Sequence, residues 1–95
     1  MLLGESFSIY YIAKNYLTGL TSVSLLVTKP DQTMQGLFVM NEFDPVNRKG
    51  HYVYDYTPTM EGNYLFTVFQ NGAWKYSKAE YCEVRPEQMP VIKFQ

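Results

Sequence analysis

Three features of this sequence predict an all-β chain folded as a two-layer sandwich of six to seven antiparallel strands. Residues 51–57 alternate strictly, with Tyr52, Tyr54 and Tyr56 on one side and His51, Val53, Asp55 and Thr57 on the other, the period of a half-buried strand. The corner Pro58-Thr59-Met60-Glu61-Gly62 stops that strand, because proline lacks a ladder donor and glycine lets the chain turn back. Asn71-Gly72 then forms a hairpin tip between two further alternating segments, since a type I′ turn needs positive φ at both central residues. No segment sustains a helical period.

Taken in order, residues 6–13 alternate Phe7, Ile9 and Tyr11 against smaller or polar neighbours, and Val23, Leu25 and Val27 repeat the pattern in a second strand. Lys29-Pro30-Asp31-Gln32 closes it as a turn, with Pro30 presetting φ and Asp31 able to bond its own backbone. Residues 37–43 read as one strand with two apolar faces, Leu37 and Val39 against Phe38 and Met40, which predicts a central position or one beneath a partner. Tyr64 stands two residues after Gly62, where a tyrosine corner of an immunoglobulin-like sandwich ties its turn through a phenol-to-backbone hydrogen bond. The segment 73–84 alternates unevenly around Ser77 and Lys78, which predicts a bulge there.

Length holds the 95 residues to one domain, with the sandwich over residues 1–85 and a C-terminal tail over 86–95. The formal charge of −1 and the lack of a Lys/Arg cluster exclude a nucleic-acid partner and disfavour an anionic membrane. The opening residues lack the basic and apolar regions of a signal peptide, and no stretch approaches the length of a transmembrane helix. With Met1 as the native start, synthesis and folding in a cytoplasm are expected. Cys82 is the single cysteine, so no intrachain disulfide forms, and a buried structural thiol is expected.

The run from Gly50 to Tyr64, GHYVYDYTPTMEGNY, followed by a strand, Asn71-Gly72 and a last strand, resembles the second half of a filamin-type immunoglobulin-like repeat. The first half, with Ala13-Lys14-Asn15-Tyr16 leading into Thr18-Gly19-Leu20-Thr21 and later Lys29-Pro30-Asp31, is similar to small immunoglobulin-like proteins of tailed bacteriophages and prophages. That resemblance implies a structural or accessory virion protein, made in the host cytoplasm and carried in the particle as head decoration or as a neck or tail part. Its partners are then other virion proteins or copies of itself. The competing reading is a carbohydrate-binding or adhesive module of a larger surface protein.

The residues point away from catalysis. His51 is the single histidine, and neither a nucleophile nor an orienting carboxylate is placed beside it by sequence, so an edge histidine is expected rather than a base. One Cys and one His cannot supply the four ligands of a zinc site. Asn41, Glu42, Asp44 and Asn47 form an oxygen-rich cluster, but without the spacing of a calcium loop they read as a solvated turn. Glu80 and Glu83 fall on opposite faces of a strand and do not form a glycosidase pair. No cofactor is expected.

Surface remains. In residues 64–70 both parities are apolar, Tyr64, Phe66 and Val68 against Leu65 and Phe69, and only one can face the core. Leu65 and Phe69 are therefore expected to meet a partner. Trp74 and Tyr76 lie just past the hairpin tip, either as edge packing, as a protein contact, or together as a sugar platform. The tail holds Val91, Ile92 and Phe94 beyond Pro86 and Pro90, which reads as an arm docking on a neighbouring subunit or as a cover for its own sheet edge.

Overall fold

A computed structural model describes residues 1–84. Within these residues seven strands occur in the order β1 (Phe7–Ile12), β2 (Val23–Thr28), β3 (Met34–Val39), β4 (Asn41–Glu42), β5 (His51–Tyr56), β6 (Gly62–Gln70) and β7 (Ala73–Cys82), with a 3-10 turn at Lys14–Tyr16. They form two antiparallel sheets, one ordered β1-β5-β4 and the other β3-β2-β6-β7. This is the immunoglobulin-like sandwich predicted from the sequence.

Alternation decides which side chains fill the space between the sheets. Val23, Leu25 and Val27 of β2 and Tyr64, Phe66 and Val68 of β6 point inward, against Ile9 and Tyr11 of β1 and Tyr52 and Tyr56 of β5. Phe66 is the aromatic hub, with its ring 5.7 Å from Tyr56, 6.1 Å from Tyr64 and 6.1 Å from Phe7. Buried phenols need partners, and each core tyrosine has one. The Tyr52 hydroxyl donates to Leu17 O at 2.8 Å and accepts from Leu20 N at 3.1 Å. That of Tyr11 donates to Gln70 Oε1 at 2.8 Å, and that of Tyr56 to Gln35 Oε1 at 2.6 Å. Burial, reinforced by the Tyr64 phenol, pushes Tyr56 up to about 12, so this phenol stays neutral and hydrogen-bonded.

The tyrosine corner is present as expected. Tyr64 is buried and its hydroxyl donates to Met60 O at 3.1 Å while accepting from Met60 N at 3.2 Å. Tyr64→Phe is expected to cost about 0.5–1.5 kcal/mol by removing these bonds while keeping the ring, read as a lower denaturant midpoint; a midpoint equal to wild type contradicts an anchoring role. Asp31 likewise behaves as predicted, accepting from Thr33 N at 3.0 Å and Thr33 Oγ1 at 2.6 Å. These bonds hold its carboxyl below the usual range.

Two expectations are corrected. The segment 37–43 is not one central strand: β3 is an edge strand with Leu37 and Val39 exposed, and the chain then crosses to the other sheet as β4. Met40 makes the crossing, buried between the layers with its amide donating to Val23 O at 2.9 Å. Two apolar faces therefore mean one core face, Phe38 and Met40, and one left outside. The bulge in β7 lies at Lys75 rather than at Ser77 and Lys78, since Val68 pairs with Tyr76 and Phe69 with Trp74. The uneven alternation has another cause. Lys78 and Glu80 sit opposite the core residues Phe66 and Tyr64 and pair with each other at 3.0 Å. They face inward at the rim of the sandwich, a device that protects a sheet edge.

Candidate functional site

The outer face of the four-stranded sheet follows from the register. Phe69 lies between Ser24 and Trp74, Thr67 between Leu26 and Ser77, and Leu65 between Thr28 and Ala79. Directly opposed residues share a face, and these rows are out of phase with the buried Tyr64, Phe66 and Val68. On β3 the rows continue with Val39 beside Ser24 and Met34 beside Thr28. Met34, Leu37, Val39 and Trp74 are all more than half exposed, and Leu65 is 40% exposed. An open hollow of about 410 Å³ is lined by Ser24, Leu26, Leu37, Phe69 and Gly72. No charged residue occupies these paired rows. Exposed apolar side chains are thus gathered on this face rather than scattered singly.

Three of its polar groups are linked to one another. Trp74 Nε1 donates to Ser77 Oγ at 3.1 Å, and Ser77 Oγ donates in turn to Thr67 Oγ1 at 3.2 Å. Covering this side chain network with an apolar surface would strand little hydrogen-bonding capacity.

Of the residues singled out from sequence, the structure brings Leu65, Phe69 and Trp74 together on this face. Tyr76 departs from them. The extra residue Lys75 inverts the strand's phase, so Tyr76 packs inward with its ring 6.1 Å from Tyr11 and its hydroxyl donating to Tyr10 O. Trp74 and Tyr76 thus point to opposite sides of the sheet and do not build the sugar platform that their spacing suggested. Tyr76 is a strut between β7 and β1, and burial raises its phenol pKa. Val91, Ile92 and Phe94 lie outside the described residues. Sequence reasoning missed Met34, Leu37, Val39 and Leu26 as part of the same surface, because their place depends on which sheet edge β3 occupies.

The other candidates have structural roles. Cys82 is fully buried at the end of β7 and burial raises its thiol pKa, while His51 starts β5 in the opposite sheet. His51 Nδ1 lies 3.1 Å from Lys49 O and its ring stacks on Tyr16. It also borders an open hollow of about 550 Å³ with Tyr10, Ile12, Phe43 and Arg48, in which the Arg48 guanidinium lies 6.0 Å from the Phe43 ring centre. Glu42, considered as an oxygen ligand, accepts from Gly19 N and Gly50 N at 2.9 Å each. Asp44 accepts from Asn47 N at 3.2 Å. Among the described residues no group of three or more His, Cys, Asp or Glu side chains is gathered to hold a metal.

Comparison with known proteins supports the fold. The chain is similar to the filamin domain of Lin-41, seen in a crystal structure, with a TM-score of 0.67 and 18% identity over 86% of this chain and 80% of that one. The fold is therefore that of a filamin-type immunoglobulin-like domain. No family model matches the chain, and no curated protein matches it significantly.

Proposed function

We propose that this protein is a non-enzymatic interaction module that docks on other protein surfaces through the outer face of its four-stranded sheet. The observation that carries this reading is the apolar surface running from Met34 and Leu37 on one edge strand to Trp74 on the other, with no charged residue in its paired rows. The sandwich core does not need these side chains, so their apolar character serves contact rather than folding. Within that class, the similarity of residues 13–21 and 29–31 to small phage proteins favours a virion component placed on the head, neck or tail. The tail residues Val91, Ile92 and Phe94 would add a second contact to neighbouring subunits.

The test uses Leu65→Ser combined with Phe69→Ser, in virions purified from the source and quantified by mass spectrometry. The double variant should fold with a thermal midpoint close to wild type and show a greatly reduced copy number per particle. Incorporation equal to wild type contradicts docking through this face. Unfolding of the variant would place both residues in the core and contradict it equally.

A further inference from the structure

Charged residues make up 18% of the chain, yet the outer face of β3-β2-β6-β7 carries none along the paired rows that run from Ser24 and Val39 to Thr28 and Met34. On β7 the usual arrangement is reversed. The charged Lys78 and Glu80 turn to the inner side and neutralise each other, while Trp74, Ala79 and Tyr81 turn outward. A partner for such a surface is itself apolar and free of charge, because a charged partner would lose its hydration and gain no counter-charge.

From these observations we propose that the partner is a second copy of this chain, packed outer face to outer face about a two-fold axis near the Leu26–Thr67 pair. This rests on the reading of that face as a docking surface and names its occupant. In a two-fold pairing, groups near the axis meet their own images, so a charge there would face a like charge. Leu26 and Thr67 present none. The Trp74–Ser77–Thr67 hydrogen-bond chain leaves the centre of the face ready for dry contact. Size also fits. Four strands about 4.8 Å apart, each six or more residues long at about 3.3 Å per residue, project on the order of 400 Å² per copy before side-chain relief is counted. With that relief the pair approaches the ~1,200 Å² lower bound of specific interfaces. Two twisted sheets stack in this way about 10 Å apart with their strands within about 30° of each other.

Sedimentation of the full chain in the micromolar range should show a species of about 22 kDa, twice the 11.1 kDa chain. Leu26→Glu and Leu26→Lys should each weaken self-association at least about 100-fold through like charges at the axis. An equimolar mixture of the two should restore the dimer. Circular dichroism checks that each variant is folded, and Leu65→Ser with Phe69→Ser replaces any that is not. A wild-type chain that stays at 11.1 kDa overturns self-pairing, as do charged variants that dimerise as wild type does. If truncation after Arg85 then makes a monomeric wild type dimerise, the tail is the occupant: self-pairing as the native state is overturned, but the face remains a docking surface. If truncation changes nothing and the Leu65→Ser, Phe69→Ser variant still enters particles, both readings fail.

Discussion

Phe66→Ala is expected to destabilise the protein by about 3–5 kcal/mol, the range for deleting a buried aromatic ring, whereas Phe69→Ala three residues along the same strand should cost roughly 1 kcal/mol or less, as surface substitutions do. The contrast follows from the register of β6. Phe66 is almost wholly buried, against Phe7, Tyr56 and Tyr64, and its loss opens a cavity that three stiff rings cannot close. Phe69 stands on the outer face beside Ser24 and Trp74. For a domain whose total stability is about 5–15 kcal/mol, the first change brings unfolding close to ambient conditions. Denaturant midpoints measure both, and equal losses would show that the two faces of β6 have been assigned wrongly.

Gly50→Ala is the second large effect. Gly50 is buried at φ +76, and a Cβ added there would lie 2.6 Å from both the Cα and the carbonyl carbon of Tyr16. Those are backbone atoms, so no side chain can swing aside. The local bonding ties the site down further. Gly50 N donates to Glu42 Oε2 at 2.9 Å, and Gly50 O accepts from Ala13 N at 2.8 Å. Left-handed backbone strain and overpacking together give roughly 2–5 kcal/mol, read as a fall in thermal midpoint. A midpoint unchanged from wild type would mean that the 3-10 turn at Lys14–Tyr16 does not pack against the start of β5.

Legibility of the fold tracked how local its causes are. The tyrosine strand, the Tyr64 corner and the Asn71-Gly72 hairpin depend on neighbours within a few residues, and each stands where its sequence places it. The segment 37–43 was misread for a non-local reason. Periodicity registers two apolar faces but carries no information on whether a second layer covers the outer one, and here none does among the described residues. Tyr76 shows the same limit on a smaller scale. One extra residue at Lys75 reverses its side of the sheet, and nothing in the composition of residues 73–78 marks that residue as the odd one. The apolar outer face was half legible: Leu65 and Phe69 could be found because β6 is apolar on both parities, and Trp74 because it follows the hairpin tip. Leu26, Leu37 and Met34 join them only once β2 and β3 are known to lie beside β6.

Trp74 is the single tryptophan and lies on the outer face with 61% of its surface exposed, so its emission reports directly on whether that face is covered. Fluorescence of the full chain, followed with acrylamide quenching over a dilution series from high micromolar to nanomolar protein, should pass from blue-shifted and protected to red-shifted and quenchable. The Leu65→Ser, Phe69→Ser variant should stay red-shifted throughout. Emission that remains red-shifted and quenchable at every concentration, with wild type and variant indistinguishable, would contradict a face built for docking with its own copy.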